Sequence, residues 1–162
     1  MQTKRKFVYF QAALSLLVMS FCLSPNVLAQ RGSGRLVGTW EISVTPLNGA
    51  PHNLSLITFN ADGTMTEVSL QDLHPPVSSA GHGVWAHIEA NKYAFSFKFF
   101  IVDPVGHLVC TARVRSTVTL DKDGDEWLSA PAHIDCTAPN GNTVFGFDLT
   151  ATATRMPLDL LD

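Results

Sequence analysis

Histidine and carboxylate side chains that could do chemistry stand close together in two stretches, "GHGVWAHIE" and "AHIDC". In the first, His82, His87 and Glu89 offer imidazole and carboxylate, a donor set that suits zinc, with His87 and Glu89 on one strand face. In the second, His133 and Asp135 form a His-x-Asp pair. Neither stretch has the local spacing of a zinc signature, so no metal site is expected; histidines on a solvated strand face are the ordinary reading. "TLDKDGDEW" brings Asp121, Asp123 and Asp125 around Gly124, but it lacks the twelfth-position Glu and flanking helices of a calcium loop. Acidic residues around a glycine turn explain it. No nucleophile elbow or Ser-His-Asp set can be picked out, so no catalytic residue is named and no cofactor is expected. Glu41 and Asp148 could act as acid or base only from inside the fold, and strand parity points both outward.

From Leu36 onward apolar residues recur with period two, turn signals cut the chain at short intervals, and no segment keeps a helical period. The reading is eight strands, over 36–45, 53–60, 64–71, 83–89, 93–102, 107–120, 127–138 and 143–155. "NADG", "EANK", "DPVG", "DKDGD" and "PNGN" separate them where short turns are expected. Only 71–83, "QDLHPPVSSAGHG", reads as a long loop.

A hairpin loop fixes register, and register fixes which side chains share a face. A four-residue "DPVG" loop puts Phe99 opposite Cys110, Phe97 opposite Ala112 and Phe95 opposite Val114. A five-residue "DKDGD" loop puts Val118 opposite Leu128, Val114 opposite Ala132, Ala112 opposite Ile134 and Cys110 opposite Cys136. "PNGN" puts Cys136 opposite Phe145, Ile134 opposite Phe147 and Ala132 opposite Leu149. Each pair is apolar, while Lys98, Arg113, Arg115, Thr117, His133, Asp135 and Asp148 occupy the other face. One face of this sheet therefore looks inward. Trp127, Trp85 and Phe100 are candidates for exposed rings.

Residues 1–29 read as an export signal. Lys4, Arg5 and Lys6 precede an apolar run broken by Ser24 and Pro25, and Val27 and Ala29 fit a small-residue cleavage site before Gln30. The run is short of the ~20 residues a spanning helix needs, so no membrane span is expected in the mature form. Phe21 before Cys22 argues against a lipid anchor. Residues 30–162 suit a single domain, exported to the periplasm or the exterior. Loss of the signal moves the formal charge from −3 to −6, since it carries three cationic residues and no acidic ones, which disfavours a nucleic-acid partner. Cys110 and Cys136 are then the remaining cysteines. Export to an oxidising compartment and opposition across a strand pair, ~4.5 to 5.5 Å at Cα, predict a disulfide.

Eight antiparallel strands leave exposed edges unless the sheet closes, and eight is a count at which a barrel can fill its interior or hold one small ligand. The expectation is an all-β, up-and-down barrel closed by pairing the first and last strands. "GRLVGTWEISV" would then set Trp40 beside Arg155 of "TATATRMP", ring under guanidinium, at a closed end.

"LVGTWEIS", a barrel pattern and an arginine on the last strand together resemble the calycin superfamily of lipocalins, fatty-acid-binding proteins and avidin-type barrels. The resemblance implies that Gly38, Trp40 and Arg155 close one end of an eight-stranded lipocalin-like barrel. On "GTWEISVTP", "LITF", "GTMTE", "GHGVW" and "FSFKFF" the chain also resembles small exported bacterial proteins of no assigned activity. "TLDKDGDEW" stands where lipocalins carry Thr-Asp-Tyr, and neither a lid nor a set of biotin contacts can be placed, so no named ligand carries over.

Phe95, Phe97, Phe99, Val114, Ile134, Phe145, Phe147 and Leu149 would line the inner wall, as a pocket for an apolar or amphipathic molecule or as a filled core. The leading expectation is non-catalytic binding of a small hydrophobic ligand. A small isomerase or cyclase would need a polar pair inside; a protein-interaction module would need a contiguous apolar patch outside.

Overall fold

A computed structural model describes residues 34–70 and 77–158. The export signal expected over 1–29 lies outside the described residues. The strands are β1 (Gly38–Pro46), β2 (Asn53–Phe59), β3 (Thr64–Ser69), β4 (Val77–Ser78), β5 (Gly81–Glu89), β6 (Lys92–Val102), β7 (Leu108–Leu120), β8 (Glu126–Ser129), β9 (Ala132–Thr137) and β10 (Thr143–Arg155). Neighbours pair antiparallel in chain order around a ring of eight positions. β8 and β9 lie end to end in one position between β7 and β10, and β1 pairs with β10 to close the ring. β4 stands outside it, pairing Val77 with Val102 and Ser78 with Ile101, so a short strand forms within the stretch 71–83 expected as a long loop, and β5 already begins at Gly81.

Three hairpins share one local design. Asn60 N–H donates to the Thr64 carbonyl, Asp103 N–H to His107 and Ala138 N–H to Asn142, each enclosing three residues that end in glycine. Gly63, Gly106 and Gly141 take φ of 87, 90 and 87°. A type I turn followed by a left-handed residue is the usual three-residue hairpin, and glycine enters that region without a Cβ clash. Asp62, Asp103 and Asn140 side-chain oxygens accept N–H groups two residues on, which favours the turn locally.

These turns decide register. β10 meets β9 as expected, with Phe145 beside Cys136, Phe147 beside Ile134 and Leu149 beside Ala132. β6 meets β7 two residues away from expectation: Phe97 faces Val114, Phe99 faces Ala112 and Ile101 faces Cys110. The turn spans Asp103–His107 and an irregularity follows between Ile101 and Val102, so parity survives and the same side chains look inward.

The larger correction lies in β8 and β9. Ser129 faces Val118 and His133 faces Arg115, so two residues of β7 oppose three of the partner. Ala130 donates to the Thr117 carbonyl at 2.8 Å, and Pro131, which has no N–H, breaks the ladder there. The bulge flips parity. Trp127 turns inward at 1% exposure and Leu128 outward at 62%, the reverse of the expected Val118–Leu128 pair. Trp85 is also buried, so of the three candidate exposed rings only Phe100 is outside. Beyond the bulge Ile134 faces Val114 rather than Ala112, and Ala112, not Cys110, faces Cys136. The disulfide nonetheless forms along the diagonal, with Cα atoms 5.7 Å apart.

The large aromatic side chains of the core gather at the end where β1 begins. Leu36, Trp40, Phe59, Met65, Tyr93, Val118, Leu120 and Trp127 are fully buried there. Trp127 packs between Trp40 (centroids 6.2 Å) and Phe95 (6.3 Å), and Trp85 between Phe59 (5.8 Å) and Tyr93 (5.9 Å). Each such ring contributes on the order of 1.5–3 kcal/mol by burial, and tilted or edge-on contacts add to it.

Candidate functional site

The closed end is organised by Arg155. Its register partner is Trp40, and its guanidinium carbon lies 4.2 Å from that ring's centroid. Nη1 donates to the Val37 carbonyl at 2.8 Å, Nε and Nη2 donate to the Gly124 carbonyl at 2.9 and 2.8 Å, and Nη2 also donates to the Arg35 carbonyl. Trp40 Nε1 donates to the Leu36 carbonyl at 2.9 Å. One side chain thus ties the chain entering β1 to the β7–β8 loop. Gly38 has φ +133°, and a Cβ there would stand 2.7 Å from Arg155 Nη1, so glycine is what lets the guanidinium lie flat.

The other half of the interior holds a cavity of about 120 Å³. Phe95, Phe97, Phe99, Val114, Ile134, Phe147 and Leu149 are among the residues that line it. Phe145 is not; its ring stacks on Phe147 with centroids 5.7 Å apart. Phe95, Phe97 and Phe99 form a continuous stack at 6.1 Å spacings. Gly81 and Gly83 make room for it, since a Cβ on Gly81 would lie 2.7 Å from the Phe97 ring and one on Gly83 2.1 Å from the Ser96 carbonyl.

The lining also has a polar part, which strand parity did not reveal. Asn53, Ser55, Glu67, Ser69 and Ser78 supply it from β2, β3 and β4. Ser55 and Glu67 are 8% and 7% exposed, and Ser55 Oγ donates to Glu67 Oε1 at 2.8 Å. Among the described residues lining the cavity no lysine, arginine or histidine occurs. Parity counted back from Phe59 and Met65, which pair across the three-residue turn, would have put Ile57 opposite Glu67 and Ser55 opposite Ser69. The lining residues near Trp127 and Ile57 are buried, while Pro46, Asn53, Ser69, Ser78 and Phe99 at the far end are half-buried, so the cavity opens away from Arg155.

Of the side chains weighed for metal chemistry, His82 is exposed, while His87, Glu89, His133, Asp135 and Asp121 have partners of their own. His87 Nε2 donates to the Ala90 carbonyl at 2.8 Å. Glu89 bonds Lys92 at 2.9 Å, and that hydrogen bond and charge hold its carboxyl below the usual glutamate range. His133 pairs with Asp148 at 2.7 Å, and Asp135 with Arg115 at 2.8 Å and Arg113 at 3.3 Å. Asp121 accepts backbone N–H groups from Glu126, Gly124, Asp125 and Asp123, which organise the β7–β8 loop and hold its carboxyl below the usual aspartate range, the Glu126 bond most. Among the described residues no three His, Cys, Asp or Glu side chains gather as a metal site, and no helix is long and apolar enough to cross a membrane. Glu41 and Asp148 are both exposed.

Outside, Leu54, Leu56, Val68 and Leu70 are 44–59% exposed and border a shallow groove over β1, β2, β3 and β10 with a volume of about 520 Å³. Leu56 and Val68 are register partners, so the apolar strip is contiguous. Comparison with protein-family models, curated proteins and solved structures finds no match to this chain.

Proposed function

We propose that this chain is an exported, calycin-like binding protein that takes a small apolar or amphipathic molecule into its interior without chemical change. The observation that carries the reading is a cavity lined by stacked phenylalanines and other apolar side chains with a few polar groups among them, the usual composition of a small-molecule site. At about 120 Å³ it is near the size of an engineered apolar cavity, ~150 Å³, that takes up benzene, and below the ~300 Å³ of drug-sized pockets. The occupant is therefore a single ring or a short chain. The disulfide is consistent with an oxidising, exported location.

Ser55 and Glu67 are the polar pair that a small barrel isomerase or cyclase would require, but no histidine among the described lining residues stands by to shuttle a proton. Binding is the simpler use of the pair. Native mass spectrometry of protein purified from its own compartment tests the proposal. A reproducible small-molecule adduct released on denaturation supports it; repeated absence of any adduct, with no uptake of small aromatic compounds, overturns it.

The leucine and valine strip on the outer face supports a second reading, an interaction surface. Light scattering across a concentration series checks it. Association abolished by Leu56→Ser with Val68→Ser supports it, and a monomer that captures no partner at any concentration does not.

A further inference from the structure

On the reading that the interior binds a small molecule, the inner end of the cavity narrows the chemistry of that molecule. Trp40 Nε1 donates to the Leu36 carbonyl and Trp85 Nε1 to the Asn60 carbonyl, both at 2.9 Å. Trp127 is 1% exposed, yet its Nε1 is buried without a hydrogen-bond partner in the protein. An indole N–H only donates, and a buried one ordinarily finds an acceptor, because without one it forfeits the hydrogen bond it made to water before folding. Trp127 lines the cavity at the end nearest Trp40. Ile42, Ala153 and Trp127 stand in register across β1, β10 and β8, and Phe95 meets the indole at a steep angle with centroids 6.3 Å apart. The polar lining residues come from β2, β3 and β4, and none of them accepts from the indole.

We infer that the cavity selects small apolar molecules carrying a neutral oxygen acceptor, such as a ketone or an ether, with that oxygen accepting from Trp127 Nε1 and the hydrocarbon part against Phe95 and Phe97. A carbonyl oxygen brings lone pairs and no donor of its own, so it matches the indole N–H without adding a group that needs a partner among apolar side chains. An alcohol would add an O–H to be satisfied at the same place. A carboxylate would bring about four lone-pair sites to a single donor, and among the described lining residues no lysine, arginine or histidine offsets its charge. The volume of about 120 Å³ keeps the molecule to one ring or a short chain.

The test is a heteronuclear NMR titration of the full mature chain, in which each tryptophan gives its own indole N–H signal, with cyclohexanone, methylenecyclohexane and cyclohexanecarboxylate as probes. The first two share a shape and differ in an oxygen against a methylene group, and neither carries an aromatic ring that would displace signals by itself. The expected result is that cyclohexanone moves the Trp127 indole signal downfield and leaves those of Trp40 and Trp85 in place, that methylenecyclohexane fills the cavity without that downfield shift, and that cyclohexanecarboxylate binds weakest. Trp127→Phe should weaken cyclohexanone by about fivefold to tenfold, the order of one neutral hydrogen bond, and change methylenecyclohexane by less than about threefold. The indole shift is read on the unmodified protein, so a misfolded W127F would not rescue the inference. A Trp127 signal that stays in place while cyclohexanone shifts other interior resonances, as it would if the ring face of Phe95 already held the N–H, overturns the acceptor preference and leaves interior binding standing; so does cyclohexanecarboxylate binding best. If none of the three shifts an interior resonance, the binding reading falls and the acceptor preference with it.

Discussion

Arg155→Ala should destabilise the fold more than its place near a chain end suggests. The guanidinium gives hydrogen bonds to the carbonyls of Arg35, Val37 and Gly124 and covers Trp40. A hydrogen bond from a charged donor is worth ~1.5–3 kcal/mol when well buried, but the side chain is 27% exposed and water can replace part of what is lost. The loss should therefore total about 3 kcal/mol, of which ~0.5–2 belongs to the ring contact. Trp40→Ala removes a fully buried indole and should cost ~3–5 kcal/mol. The two changes share one contact, so urea unfolding of both single variants and the double variant should give a coupling of about 1 kcal/mol with unchanged m-values. Gly38→Ala adds a third arm. Its cost combines a strained φ with a 2.7 Å clash against Nη1, and only the clash should vanish when it is made on the Arg155→Ala background. Losses for Trp40 and Arg155 that sum within ~0.5 kcal/mol would refute the claim that this pair closes the ring cooperatively.

The bulge at Ala130–Pro131 is tested by neighbours of opposite fate: Trp127→Ala should cost ~3–5 kcal/mol in chemical denaturation, and Leu128→Ser less than ~0.5. Equal costs would contradict the parity flip. Removing the disulfide by Cys110→Ser with Cys136→Ser should cost ~3–4 kcal/mol, from a loop of separation 26, and the intact protein should take up no alkyl group at either cysteine without reductant, as read by mass. Gly81→Ala should destabilise by ~1–3 kcal/mol and weaken interior binding, because the new methyl group presses on the Phe97 ring and Glu67 Oε2. For Asp121 the folded carboxyl titrates below its unfolded value, so its contribution is present above the ordinary aspartate range and disappears as pH falls through the depressed folded value. The stability difference between the native chain and Asp121→Ala should accordingly be constant near neutrality and shrink in acid; a difference that grows on acidification would reverse the sign and refute the assignment.

Sequence alone determined the class of fold, and the reason is that strand signals are local. Alternation in "YAFSFKFF" and "NTVFGFDL" marks inner and outer faces, and the Asn-Gly and Asp-Gly turns mark the hairpins. Even closure was legible, because unpaired edges are costly and a first-strand tryptophan and last-strand arginine need each other. What the sequence could not deliver were offsets of one or two residues. Pro131 announces a break in the ladder but not that an extra residue would turn Trp127 inside. The Asp103–His107 turn moved the β6–β7 register by two without changing the face. Glu67 was hidden for a different reason. Leu54, Leu56, Val68 and Leu70 alternate with Ser55, Glu67 and Ser69, so apolar pattern alone argues for the leucine face as the core. Ring closure decided otherwise, because Ile57, Phe59 and Met65 must join the aromatic floor beneath Trp85 and Phe95, and in a strand of period two that choice carries Ser55 and Glu67 inward with them.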